Sequence, residues 1–164
     1  MLRKTTVMRL IASFSLLLVT LMTHASALAQ GNAPIAIGVL NKLAISGYDP
    51  VAYFVQNAAV KGSPDHVTTC HGATWRFASA SNRDAFLDNP GRYIPQYGGH
   101  DPYAMTDDRL VRASPDVWSV EYGRLFLFYS VDVKQAWGTT LAENEELADQ
   151  YWNARFPDLV LGDC

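Results

Sequence analysis

From Ile37 to Pro157 apolar residues and turn residues alternate in short blocks, and the period of the blocks changes along the chain. Between His66 and Cys70 the β-branched Val67, Thr68 and Thr69 predict a strand. His71-Gly72 follows, and then Ala73-Thr74-Trp75-Arg76-Phe77, with Trp75 and Phe77 on one face. A two-residue connection ending in glycine predicts a hairpin, because a tight antiparallel turn needs positive φ at its centre. The same reasoning joins Trp118–Glu121 through Tyr122-Gly123 to Arg124-Leu125-Phe126-Leu127-Phe128-Tyr129. That second strand is apolar on both faces, which predicts a central strand covered on each side. Val51 to Phe54 reads as a shorter strand.

Helices are expected between and after these strands. Ser81, with Asp84 three residues on, is an N-terminal capping signal, and Pro90 ends that helix near Asp88. Ser130 caps a short helix with Val133 and Trp137 on one face, closed by Gly138. Thr140 and Glu143 form a capping box for the last helix, in which Leu141, Ala148 and Trp152 share a stripe with Leu147 and Tyr151 beside it. Tryptophans at such spacing are core residues, since each buries roughly 150–250 Å². No regular βαβ rhythm, internal repeat, low-complexity segment or charge run is apparent. The pattern predicts a small single α+β domain in which antiparallel hairpins pack with short helices.

The first thirty residues follow a different logic. Arg3, Lys4 and Arg9 precede an apolar run from Leu10 to Met22, and small residues end in Ala27-Leu28-Ala29. A basic start, a short apolar stretch and an A-x-A-like site describe a cleavable export signal over residues 1–29, with cleavage before Gln30. The apolar run is shorter than the ~20 residues a membrane span needs. No cysteine stands at the cleavage point, which argues against lipid attachment there. The expected location is periplasmic or secreted. The organisation expected after the signal is an N-terminal leader at 30–46, loose from Gln30 to Ala36, a domain at 47–156 and a tail at 157–164.

Cleavage also changes the charge. Lysine plus arginine falls from 13 to 10 against 16 acidic residues, so the net charge moves from −3 to −6. An acidic domain of this size argues against nucleic acid or anionic lipid as a partner. No second apolar stretch could span a membrane.

Few residues after the signal can carry chemistry: Cys70, Cys164, His66, His71, His100 and Met105. No Gly-rich phosphate loop, H-E-x-x-H, C-x-x-C or G-x-S-x-G is present, so no catalytic residue is assigned. On a strand His66 and Cys70 lie ~13 Å apart at about 3.3 Å per residue. Cys70 and His71 are adjacent, and their side chains diverge unless the turn redirects one. A metal site therefore needs ligands from elsewhere, and Gly98-Gly99-His100-Asp101-Pro102 offers a nitrogen and an oxygen at a place where glycines permit close approach. His100, Asp101, Cys70 and His71 form the candidate metal set, with copper first and zinc second on the softness of the donors. A disulfide between Cys70 and Cys164 is the competing account, natural in an oxidising compartment. It would remove Cys70 as a thiolate ligand, and both readings stay open at this point.

Gly47-Tyr48-Asp49-Pro50-Val51-Ala52-Tyr53-Phe54 resembles the start of a YHS domain. The resemblance continues through Gly72–Phe77, Ser81–Phe86, Pro90–Gly99, Trp118, Gly123–Tyr129, Trp137, Ala148-Asp149 and Trp152, and so covers nearly all of the expected domain. It is to the small exported kind consisting of a signal and one such domain. The resemblance implies a small α+β module, and kinship with domains that accompany metal-transporting ATPases and oxygenases implies transition-metal handling without catalysis. In such proteins Gly-Gly is commonly followed by Tyr-Cys-Ala, whereas this chain has His100-Asp101-Pro102. That departure supports an alternative expectation: a metal-free interaction module, accessory to a periplasmic or membrane protein partner.

Overall fold

Both glycine-marked connections close as hairpins. His71 and Gly72 take φ of 49° and 71°, and Tyr122 and Gly123 take 52° and 77°. Positive φ at both central positions matches the right-handed twist of the flanking strands. The computed structural model that shows this describes residues 33–38 and 40–164, and the signal expected over 1–29 lies outside them.

In chain order a 3-10 turn (Ile45–Gly47) leads to α1 (Ala52–Val55), the hairpin β1 (Ser63–Cys70) and β2 (Ala73–Phe77), then α2 (Ala80–Asp88) and α3 (Pro90–Tyr93). A second 3-10 turn (Gln96–Gly99) leads to α4 (Pro102–Met105), the hairpin β3 (Ser114–Glu121) and β4 (Arg124–Phe128), then α5 (Val131–Thr139) and α6 (Leu141–Arg155). β1 pairs with β2 and β3 with β4, both antiparallel, as two separate two-stranded sheets. The domain is α+β. None of the described helices is long and apolar enough to cross a membrane.

Several local expectations give way to longer-range demands. Val51–Phe54 is not a strand but the start of a helical turn. The Asp49 carboxylate accepts from the N–H of Val51 at 2.8 Å and of Ala52 at 3.3 Å, which closes the backbone into a helix against the β preference of Val, Tyr and Phe. Helix α2 begins earlier than Ser81: Ser79 is its cap, accepting from the Asn82 N–H at 3.1 Å. Ser130 caps α5 as expected, although the helix continues past Gly138 to Thr139. Thr140 takes the cap position of α6 without a side-chain bond. At the described end of the expected loose stretch Ile35 and Ala36 are buried, and Ala36 donates to the Gly98 carbonyl at 2.9 Å. That approach requires glycine, since a Cβ on Gly98 would overlap the Pro34 carbonyl.

The core forms two clusters. The first gathers Ile35, Ile45, Val51, Tyr53, Trp75, Phe77 and Phe86; the second gathers Tyr97, Met105, Phe126, Phe128, Trp137, Ala148 and Trp152. Strand β4 separates them, with Leu125 and Leu127 in the first and Phe126 and Phe128 in the second. The strand is covered on both faces, as its composition implies, although its one sheet neighbour is β3. Each such buried side chain contributes about 1.5–3 kcal/mol.

The chain also repeats itself, contrary to the expectation from the sequence. β1 and β2 pair Ser63 with Phe77, lose register, and resume with Val67 opposite Arg76. β3 and β4 do the same 51 positions later (63 to 114, 77 to 128), with Ser114 opposite Phe128 and Trp118 opposite Leu127. Ser79 and Ser130 cap corresponding helices. Asn57 and Asp108 share positive φ, as do Ser46-Gly47 and Gly98-Gly99. The isolated bridge Tyr48–Lys61 recurs as His100–Arg112. With this alignment in hand, Gly47-Tyr48-Asp49-Pro50-Val51-Ala52 matches Gly99-His100-Asp101-Pro102-Tyr103-Ala104, and Ser63-Pro64-Asp65 matches Ser114-Pro115-Asp116. Beyond these punctuation residues identity is sparse, as at Val60/Val111, Phe77/Phe128 and Ala85/Ala136. Most apolar positions differ in kind, as at Trp75/Phe126 and Phe86/Trp137, and so the repeat is hidden from a reading by hydrophobic pattern.

Candidate functional site

At the tip of the first hairpin, β1 ends on Cys70, whose side chain points into the core. On an extended strand the next side chain would face away. His71, however, adopts a left-handed conformation as the first turn residue, and this redirects its ring. The C-terminal tail meets the turn: His71 Nε2 lies 3.1 Å from the Leu161 carbonyl, and Leu161 packs against both core clusters. Cys164 is brought onto Cys70 with Cα atoms 5.0 Å apart, and the two are joined in a disulfide. Among the described residues no cysteine is free.

One atom from each of Cys70, His71 and Cys164 lies within 4.8 Å of the others. Two sulfurs and an imidazole in that space are a donor set that suits copper(I) or zinc. The fit holds only for the dithiol. In the disulfide each sulfur is spent in a covalent bond and offers no thiolate. Cys70 is buried, His71 half-buried and Cys164 exposed, so the group is open to solvent on the side of the tail.

The four residues expected to form one metal site therefore separate. Cys70 and His71 are together, with Cys164 as the third member. His100 and Asp101 are held at the second 3-10 turn by bonds of their own. The Asp101 carboxylate caps α4, with Oδ1 accepting from the Ala104 N–H at 2.7 Å and Oδ2 from the Tyr129 N–H at 2.6 Å. Burial pushes its pKa up, and the N–H groups of Tyr129, Ala104 and Tyr103 and the charge of Arg109 pull the other way. His100 Nε2 lies 3.1 Å from the Ala33 carbonyl, while Nδ1 is buried without a partner. Desolvation lowers the His100 pKa, with the Ala33 contact opposing. These are the demands of capping and burial, and they leave the carboxylate oxygens facing backbone donors.

The sequence marks Cys164 only as a disulfide partner. The signal that could have placed it beside His71 is the apolar pair Leu159 and Leu161, whose partial burial against the core draws the terminus back to the hairpin. Two cavities lie elsewhere. An open groove of about 690 Å³ runs between β3 and α5, where the Lys134 ammonium already donates to the Trp118 carbonyl at 2.6 Å. A smaller cavity of about 370 Å³ lies beside Asp101. Comparison with known proteins adds no further guide to the site: no family model matches the chain, and no curated protein or solved structure matches it either.

Proposed function

We propose that this protein is an exported, non-catalytic module that handles a transition metal as cargo, copper first and zinc second, through Cys70, His71 and Cys164. The observation that carries the reading is the convergence of three soft or borderline donors within 4.8 Å at one hairpin tip. The resemblance to exported YHS-domain proteins supports the same class. In this reading the disulfide is the closed state. A dithiol reductant delivers two electrons, the S–S bond breaks, and Cys70 and Cys164 become thiols while the reductant leaves as its own disulfide. On metal binding the two thiols lose their protons, so uptake is favoured by higher pH. His71 supplies the third ligand when its ring leaves the Leu161 carbonyl.

The test is metal uptake by the exported protein before and after anaerobic treatment with a dithiol, read as bound copper(I) or zinc together with a thiol count. The expected result is no uptake by the disulfide form and near-equimolar uptake by the dithiol form. His71→Ala should weaken it by about tenfold or more, in the range for loss of one supporting ligand interaction. Equal uptake in both states, or none in either, overturns the proposal.

The disulfide itself favours a second reading, a metal-free accessory module whose hairpin tip is locked by Cys70–Cys164. That reading expects no metal in either redox state and a protein partner in the periplasm or at the membrane.

A further inference from the structure

Asp49 and Asp101 hold the same place in the two repeats, but their surroundings differ. At Asp49 the carboxamide of Asn82 reaches across from α2, and its Nδ2 donates to Oδ2 at 2.6 Å beside the Ala78 N–H at 2.8 Å. At Asp101 the Tyr129 N–H repeats the bond made by Ala78. The α5 residue corresponding to Asn82 is Val133, which has no donor. Between Val133 and Asp101 opens the cavity of about 370 Å³, walled also by Tyr103, Arg109, Val111 and Tyr129. In the first repeat Val51, Ala58 and Ala78 stand where the second has Tyr103, Arg109 and Tyr129, Val60 matches Val111, and the Asn82 carboxamide lies against Asp49 Oδ2. The second repeat thus keeps the buried acceptor, removes the side chain that satisfies it, and raises two phenol rings and a guanidinium around the vacancy.

We propose that this cavity binds a small molecule carrying a primary carboxamide, whose NH₂ group takes the place of the Asn82 amide on Asp101 Oδ2. The first repeat supplies the geometry: a carboxamide N–H on a carboxylate that also caps a helical turn. A volume of about 370 Å³ is at the lower end of the ~300–1,000 Å³ found for small-molecule sites. Tyr103 and Tyr129 are 39% and 63% exposed, and their rings offer faces for a planar substituent. Arg109 selects the carboxamide over an amine. Its guanidinium repels an ammonium, but it can donate to an amide carbonyl. Its present partner is an exposed Asp107 carboxylate at 3.2 Å, and surface pairs of that kind are weak. A carboxylate ligand is rejected by Asp101 itself.

The experiment is titration of the exported, disulfide-bonded protein with benzamide, and separately with benzoate and benzylamine, followed by backbone amide spectra. Benzamide is expected to give saturable shifts at Ala104, Tyr129 and Val133, with benzoate and benzylamine weaker by about tenfold, the effect of one hydrogen bond lost or opposed. Val133→Asn, which restores the first repeat's own carboxamide, should weaken benzamide by about tenfold or more. Tyr129→Ser alters an exposed side chain and should weaken benzamide several-fold in a folded protein. The proposal is overturned by the absence of saturable shifts at these residues. It is equally overturned if benzamide binds folded Val133→Asn or Tyr129→Ser with unchanged affinity, or binds no better than benzoate.

Discussion

Residues 45–93 and 97–144 follow the same backbone plan and finish it differently, the second running on into the longer helix α6. In the first half Asp49 receives the N–H groups of Val51, Ala52 and Ala78 and the amide of Asn82, and the hairpin tip is tied to the C-terminus through Cys70. In the second half Asp101 receives backbone N–H groups from Ala104 and Tyr129, no described side chain donates to it, and the hairpin tip at Tyr122-Gly123 is exposed. The first repeat is closed by its own polar groups. The second gains its order from aromatic packing, with Tyr97, Trp137 and Trp152 meeting edge-on, and leaves a cavity at its carboxylate. A shared frame thus carries two chemistries, a sulfur-nitrogen cluster on one hairpin and a carboxylate-floored cavity beside the other. The frame depends on punctuation residues, whereas the chemistry depends on what surrounds them.

The comparison can be broken most severely at the disulfide, which exists in one repeat alone. Cys164→Ser should lower stability by about 4–5 kcal/mol in the chain-entropy model, because the bond closes residues 94 apart in sequence. Urea denaturation of the oxidised protein and the variant measures it, and a loss under about 1 kcal/mol would mean that the cross-link constrains an already compact unfolded chain.

The two carboxylates give the next test. Asp49→Ala should cost about 4 kcal/mol and Asp101→Ala about 2 kcal/mol, since each buried donor left without an acceptor costs roughly 1–3 kcal/mol. Matched urea midpoints for the two variants would show that the Asn82 amide adds nothing and that the repeats are closed equally well.

Acid should act on the second repeat through His100, which replaces the Tyr48 of the first. Its folded pKa is lowered by burial, so below the ordinary histidine value the unfolded chain binds the proton that the folded chain refuses. Stability should therefore fall as pH drops below about 6.5, by no more than about 1.4 kcal/mol per pH unit. A His100→Gln variant should show a shallower loss in thermal unfolding across that window. The smallest effects sharpen the likeness of the repeats: Ser79→Ala and Ser130→Ala should each cost about 1 kcal/mol by removing equivalent caps. Unequal losses in paired urea curves would place the strain of the repeat in one helix start.

Parts of this structure were legible in the sequence and parts were not, for separable reasons. His71-Gly72 and Tyr122-Gly123 declared their turns because positive φ is a local demand with few chemical solutions. Ser130 declared a helix start, and the doubly apolar Arg124–Phe128 declared a strand covered on both sides. Val51–Phe54 resembles a strand in sequence because its β preference is written locally, while the Asp49 carboxylate that overrules it belongs to a buried network reaching Ala78 and Asn82. Of the candidate ligands, Cys70 and His71 stood out by residue type. Their union with Cys164 depended on a tail docking across the fold, and the separation of His100 and Asp101 depended on which backbone donors surrounded them.

By itself the sequence determined the α+β composition, the two hairpins and the supply of donors, since turn conformation, side-chain periodicity and residue chemistry act within a few neighbouring positions. The tertiary structure alone decided which donors meet, that the chain is built twice on one plan, and where a carboxylate is left with a cavity beside it. Those outcomes rest on contacts between residues far apart in the chain, and the burial that enforces them becomes visible only when the distant surfaces are in place.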